Sequence, residues 1–172
     1  MTFTEQDIRF LTEGLPQLQG YLLSNELYWP LNNSLPRLTI GSVLLALARL
    51  EVTHPVEAQR FRVALEPTRA RWRAAWEKKA AREMANRLRL WSQYLSDFQY
   101  APDKAGLYPT EVRGRTILQL LLPEAPNAPE KATLVELDTI LKTLLVPGKF
   151  IWEAAWQAAF PEAEFWFLYG KL

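Results

Sequence analysis

The longest stretch of this sequence without a helix breaker is residues 68–100, which contain neither glycine nor proline. Strong helix formers dominate the stretch, and the spacing predicts one α-helix over its whole length, about 48 Å long at ~1.5 Å per residue. The other periodic apolar segments are separated by prolines, which start or stop helices. The sequence therefore predicts an all-α single domain, residues 1–172, in which roughly six to eight helices form a bundle around one long central helix.

Three proline-rich connectors separate the predicted helices, at residues 25–36, 101–109 and 123–131. The first has the sequence NELYWPLNNSLP, whose asparagines and prolines favour turns and whose aromatic side chains can anchor the loop. After residue 148 the sequence predicts two last short helices, at residues 150–160 and 161–169.

Composition excludes several classes of chemistry. The chain has no cysteine and a single histidine, His54, so disulfides, thiolate zinc sites and multi-histidine metal centres are excluded. It has no phosphate-binding glycine loop, and its acidic residues do not cluster with metal-ligand spacing. We therefore expect no cofactor and no metal, and no catalytic residue can be named.

The N-terminal residues and the lengths of the apolar segments indicate the cellular location that we expect. The opening residues MTFTEQDIRF are polar and acidic where a secretory signal would be basic and then apolar. The longest nearly uncharged apolar stretch, residues 38–48, is well short of the ~20 residues that cross a bilayer. We expect a cytoplasmic protein without a membrane partner.

A basic stripe is predicted on one side of the long helix. Residues 60–89 contain ten basic and three acidic residues, although the whole chain has a net charge of only +1. At about 100° per residue, the large apolar side chains fall in one arc, and four basic residues fall on the opposite side. This basic stripe consists of Arg71, Lys78, Arg82 and Arg89.

The basic stripe has three interpretations. It is a solvated or internally neutralised helix face, a surface that binds an acidic partner protein, or a surface that binds nucleic-acid phosphates. Nucleic-acid domains usually have a strongly basic total charge and exposed aromatic side chains between the cations. Here the aromatics lie on the other side of the helix, so the partner protein is favoured over nucleic acid.

Four further charged residues point toward the apolar arc and are spaced as two i, i+4 pairs: Arg73 with Glu77, and Glu83 with Arg87. Intrahelical ion pairing is the usual way in which a charge near a core is tolerated. We expect buried structural pairs, and a pocket lined by Glu83 and Arg87 would instead indicate a small enzyme. Farther along the chain, Arg113 and Arg115 either anchor acidic neighbours or belong to an external face.

Large aromatic side chains are concentrated near the C-terminus and in the first connector. No single helix face can cover all of Phe165, Trp166, Phe167 and Tyr169, so the segment either plugs a core groove or leaves an apolar patch for a partner. Trp29, in the first connector, likewise either packs into the core or contributes to an apolar patch for a partner. The sequence predicts a non-enzymatic interaction or accessory subunit that buries aromatic surface against another protein or a second copy, with a nucleic-acid-associated protein as the alternative.

Overall fold

A computed structural model describes residues 1–32 and 34–172, and in this part of the chain eight α-helices accompany one small antiparallel ribbon. The helices are α1 Phe3–Gly14, α2 Leu18–Leu23, α3 Ile40–Thr53, α4 Pro55–Arg71, α5 Arg73–Tyr100, α6 Tyr108–Leu121, α7 Glu130–Leu144 and α8 Glu162–Phe165. The ribbon pairs β1 Val146–Phe150 with β2 Tyr169–Lys171. Short 3₁₀ segments lie at Leu15–Gln17, Pro102–Leu107, Leu122–Glu124, Ala154–Ala159 and Trp166–Leu168. The predicted all-α class is confirmed.

Helix α3 lies at the centre of the bundle because its sequence is apolar on almost every side. It contacts α1, α4, α5 and α6, and its buried side chains include Ile40, Val43, Leu45 and Leu47. Thr39 caps the helix by accepting a hydrogen bond from the Ser42 amide at 3.0 Å. A helix that is apolar all round is stable only when other elements cover it, which is the position that α3 occupies.

The prediction of one helix over residues 68–100 is wrong at its N-terminal end. Helix α4 continues through Pro67 to Arg71, and the backbone of Trp72 (φ −111°, ψ 36°) leaves the helical region before α5 begins. The interruption lets α4 pack along α3 while α5 packs against α6. Helix α5 keeps 28 residues, about 42 Å at ~1.5 Å per residue.

The expected apolar arc of α5 does face the core. Trp76, Ala80, Met84, Leu88, Trp91 and Leu95 are buried, and Trp72 and Phe98 are partly buried. Lys79 is also buried, with its ammonium 4.6 Å from the centre of the Tyr21 ring. Its Nζ donates to the Glu26 carbonyl, which provides the hydrogen bond that a buried cation needs.

The C-terminal region does not form the two helices expected at residues 150–160 and 161–169. Strands β1 and β2 pair there, with Pro147 opposite Gly170 and Phe150 opposite Tyr169, around the short helix α8. A Cβ on Gly170 would overlap the Val146 carbonyl oxygen, so glycine permits this close pairing. Long-range strand pairing and aromatic packing have overridden the local helical spacing in this segment.

Buried ion pairs connect the helices. The Arg49 guanidinium donates from Nε to Asp7 Oδ2 at 2.8 Å, which joins α3 to α1. Arg115 donates from Nε and Nη2 to the two oxygens of Asp138, both at 2.8 Å, which joins α6 to α7. Arg115 therefore anchors an acidic neighbour, which is one of the two roles that the sequence predicted for it.

Burial raises the pKa of several tyrosines. The Tyr108 hydroxyl donates to the Phe167 carbonyl at 2.5 Å, and the Tyr21 hydroxyl donates to the Leu27 carbonyl at 3.0 Å. Burial is the largest cause of the raised pKa at each, because a phenolate would lose its hydration. Burial likewise raises the pKa of Tyr94 to about 12, and it raises those of Tyr28 and Tyr169.

We expect the free energy of unfolding to fall as the pH rises above 10. The folded state retains these phenolic protons at a pH where the unfolded chain, with the ordinary pKa of 10.0, releases them. The stabilisation is complete below pH 10 and is lost as the pH passes through each raised pKa, at about 1.4 kcal/mol per pH unit for each of the buried Tyr21, Tyr94 and Tyr108. Lys79 and Arg113, whose pKa values burial lowers, act in the opposite direction but are fewer.

Denaturant unfolding at a series of alkaline pH values measures this dependence. The variant Tyr94→Phe removes one of the contributing groups, so its stability should fall less steeply than that of the wild type between pH 10 and 12. An identical slope for the two proteins would show that Tyr94 does not contribute.

Candidate functional site

The basic stripe is exposed along its whole length. Lys78, Arg82 and Arg89 lie on α5 and Arg71 lies at the end of α4, and all four are exposed. Arg82 donates from Nη2 to the Asn25 carbonyl at 3.2 Å, and the Arg71 guanidinium lies 5.3 Å from the centre of the Trp72 ring. Neither contact neutralises a charge.

The neighbouring arginines differ from the stripe because they are paired with carboxylates. Ion pairs join Arg60 to Glu57, Arg62 to Glu51, Arg69 to Glu66 and Glu124, Arg73 to Glu77, and Arg87 to Glu83. Within residues 1–32 and 34–172, none of the four stripe residues forms an ion pair. In the part of the chain that is described, the stripe is therefore a set of exposed cations without ion-pair partners.

The aromatic residues predicted to bind a partner mostly lie in the core, and this part of the prediction is corrected. Phe165, Phe167 and Tyr169 are buried, while Trp166 and Trp29 are partly buried. The rings of Phe165 and Phe167 are 5.9 Å apart, and the Tyr169 hydroxyl donates to the Phe160 carbonyl at 2.8 Å. The segment plugs a core groove, so its buried rings are not available to a partner.

Trp29 is held by a hydrogen bond within the chain. Its Nε1 donates to Gln17 Oε1 at 2.8 Å, and its backbone pairs with that of Leu38. The region around Trp29 is therefore fixed to the 3₁₀ segment Leu15–Gln17 and to Leu38, which precedes α3, in agreement with the anchored loop that the sequence predicted.

The pair of Glu83 and Arg87 is buried as expected. Glu83 is 0% exposed and its Oε1 accepts from Arg87 Nε at 2.7 Å, with the Arg87 side chain 15% exposed. Glu83 Oε2 accepts from the backbone amide of Gly41 at 2.9 Å. Both carboxylate oxygens are thus engaged, and the contact with Gly41 ties α5 to the first turn of α3.

The pair of Arg73 and Glu77 forms but is not buried, which corrects the expectation. Arg73 Nε lies 3.0 Å from Glu77 Oε1, and the two side chains are 80% and 41% exposed. Arg73 is the first residue of α5, next to the interruption at Trp72, where neighbouring elements leave it uncovered. This pair provides an exposed counterpart to Glu83 and Arg87 on the same helix.

Two adjoining cavities, of about 330 Å³ and about 460 Å³, share Pro36, Thr110 and Arg113 in their linings. Arg37 and Arg87 line the first cavity, and Arg49 lines the second. We call these two neighbouring cavities together the arginine groove. Glu83 is not among the lining residues, so the groove is not the pocket with Glu83 and Arg87 that would have indicated an enzyme.

Two buried donors at the arginine groove have no hydrogen-bond partner in the described residues: Arg113 Nε and Trp91 Nε1. Arg113 also forms no ion pair within that part of the chain. Burial, together with the nearby charges of Arg49 and Arg87, lowers the pKa of Arg113 to about 10, so the group remains cationic at neutral pH. The Asp7 carboxyl is nearby, and burial raises its pKa despite the contact with Arg49.

Sequence reasoning did not identify the arginine groove. Of its cationic residues only Arg113 and Arg87 were noted, and neither was assigned to a cavity. The cations of the groove come from distant parts of the chain, and a site without local spacing gives no motif. The one available signal was the arginine pair YPTEVRGR, in which Arg115 is ion-paired and Arg113 is not.

The described residues contain no cluster of three or more His, Cys, Asp or Glu side chains that could hold a metal ion. The helices in the same part of the chain include none with the length and apolar character needed to cross a bilayer. Comparison with protein-family models, with curated proteins and with solved structures gave no significant match.

Proposed function

We propose that this chain is a non-enzymatic interaction protein that binds an acidic surface of a partner protein through the basic stripe. The observation that carries the proposal is the contrast in pairing. Five arginines near the stripe are ion-paired with carboxylates, whereas the four cations of the stripe are exposed and form no ion pair in the described residues.

The energetics favour an external counterpart for these charges. Cations on one helix face repel one another, and an acidic surface that approached them would remove that repulsion. Exposed ion pairs contribute about 0.2–1 kcal/mol each, and complementary fields also accelerate encounter. The α5 part of the stripe, Lys78 to Arg89, extends about 16 Å at ~1.5 Å per residue, which suits an acidic helix or extended segment.

A partner protein fits this surface better than nucleic acid does. The tryptophans of α5, Trp76 and Trp91, are buried, so they cannot stack on bases between the cations. The net charge of the whole chain is only +1, whereas nucleic-acid domains are usually strongly basic. Nucleic-acid binding is therefore an outcome that the test must distinguish.

We expect a fluorescently labelled polyglutamate peptide to bind the protein at low ionic strength, as measured by fluorescence anisotropy. The triple variant Lys78→Gln, Arg82→Gln, Arg89→Gln should bind about tenfold more weakly, because three pairs of about 0.5 kcal/mol each are lost. The matched control Arg60→Gln, Arg62→Gln, Arg73→Gln removes the same charge from paired arginines and should stay within about twofold of the wild type.

Three results would contradict the proposal. Equal losses in the two triple variants would mean that only net charge matters. An absence of peptide binding by the wild type at low salt would remove the basis of the interaction. Tighter binding of a labelled DNA duplex than of the peptide, lost in the stripe variant, would favour the nucleic-acid function.

A further inference from the structure

The arginine groove has an excess of positive charge that the chain does not neutralise. Arg87 is compensated by Glu83, and Arg49 is compensated by Asp7. Arg113 has no such partner in residues 1–32 and 34–172. Arg113 is half-buried and its Nε is buried without a hydrogen-bond partner, which costs free energy that a negatively charged ligand would recover.

The remaining charged residues of the groove leave a balance of about one positive charge. Arg37 and Glu111 both line the first cavity and offset one another in total charge. With the two compensated pairs set aside, Arg113 is the uncompensated group. A ligand that neutralises the groove therefore carries one negative charge, as a carboxylate does at neutral pH.

The two unsatisfied donors have the chemistry of a carboxylate site. A guanidinium presents N–H groups in a planar fork that matches the two oxygens of a carboxylate, and an indole N–H adds one more donor. Arg113 Nε and Trp91 Nε1 are both buried, and both residues line the first cavity. Each of these donors costs free energy when left unpaired, and a carboxylate that reached both nitrogens would satisfy them together.

The walls of the groove indicate the chemical character of the part of the ligand that lies beyond its carboxylate. Tyr28, Pro36 and Leu90 line the first cavity, and Pro109, Trp152 and Trp156 line the second. These surfaces are aromatic or apolar, as in most small-molecule sites, where a few polar groups orient a mainly apolar ligand. The volumes of about 330 Å³ and about 460 Å³ accommodate a small organic molecule rather than a folded segment.

We propose that the arginine groove binds a small monocarboxylate with an aromatic or aliphatic body, its carboxylate held by Arg113 and by the indole N–H of Trp91. The groove uses none of the four stripe residues. The proposal therefore stands independently of the acidic-partner function, and either can fail without the other.

Benzoate is the probe, and the readout is the ¹H–¹⁵N NMR signals of arginine Nε–H and tryptophan Nε1–H groups. The signals of Arg113 and Trp91 are assigned from the spectra of Arg113→Met and Trp91→Phe. Benzoate should shift both signals saturably, whereas the neutral analogue benzamide should shift neither to the same extent. No saturable shift with benzoate, or an equal effect of benzamide, would overturn the proposal.

The variant Arg113→Met distinguishes a ligand site from a structural role. It should weaken benzoate binding at least tenfold, since hydrogen bonds to charged groups contribute that much. Its melting temperature should be equal to or above that of the wild type, because it removes a half-buried charge that has no ion-pair partner in the described residues. A lowered melting temperature together with unchanged benzoate binding would assign Arg113 to the fold alone.

A second variant blocks the cavity and leaves both donors in place. Gly114 lines the first cavity, and no atom lies within 4 Å of the position that its Cβ would take. Gly114→Leu should therefore fold and exclude benzoate. Retained benzoate binding in this variant would contradict the assigned site, and an equal response of the wild type to inorganic phosphate would contradict the assignment to a carboxylate.

Discussion

Replacement of Glu83 by glutamine should lower the free energy of unfolding by about 3 kcal/mol, because it leaves the buried guanidinium of Arg87 without its counter-charge. The carboxylate accepts from Arg87 Nε at 2.7 Å through one oxygen and from the Gly41 amide at 2.9 Å through the other. An amide has a single acceptor oxygen, so one of these two donors would face an NH₂ group. Denaturant unfolding measures the change.

Glu77→Gln is the matched control for this experiment. Glu77 forms the same kind of i, i+4 pair with Arg73 on the same helix, at 3.0 Å, but both side chains are exposed. Exposed pairs contribute little, so the control should change stability by no more than about 0.5 kcal/mol. If the two variants lost the same free energy, the contact from α5 to α3 would not be an important structural tie.

Gly41→Ala should destabilise the protein by about 3 kcal/mol, because the close approach of three helices leaves no space for a methyl group. A Cβ at position 41 would overlap Ile117 Cγ2 on α6 and lie 2.5 Å from Glu83 Oε1 on α5. The described part of the chain has no glycine with positive φ, so the expected loss is steric and not conformational. Thermal and denaturant unfolding both measure it.

The substitution Gly114→Ala should change stability in the opposite direction to Gly41→Ala. Gly114 lies inside α6, and no atom lies within 4 Å of its potential Cβ. Alanine there should raise the free energy of unfolding by about 0.5–1 kcal/mol through higher helix propensity. A Gly41→Ala variant as stable as Gly114→Ala would show that α3, α5 and α6 do not meet as closely as described.

The helical class followed from the distribution of proline and from apolar periodicity, and the burial of Trp76, Met84 and Trp91 followed from the spacing on α5. The interruption at Trp72 could not be predicted in this way. Pro67 is the stronger local signal for a helix end, and yet the helix continues through it. Tertiary packing of α4 along α3 decides where the chain bends, and no local rule includes that packing.

For the candidate sites too, only the features that depend on local spacing could be predicted from the sequence. The exposure of Lys78, Arg82 and Arg89 could be predicted, because helical periodicity is local. The difference between Arg113 and Arg115 could not, since it depends on Asp138 lying on another helix opposite only one of them. The ribbon of β1 and β2 also depends on residues far apart in sequence, which the local helical spacing of residues 150–169 does not encode.

We expect the recognition surface of this protein to consist of the exposed cations of the basic stripe and not of its aromatic side chains. The most direct test is a ¹H–¹⁵N NMR titration of the labelled protein with polyglutamate at low salt. We expect shifts concentrated on the exposed face of α5, at Lys78, Arg82 and Arg89, with the amides of residues 165–169 unchanged. Shifts confined to residues 165–169, or no shift on α5 at saturating peptide, would contradict the claim.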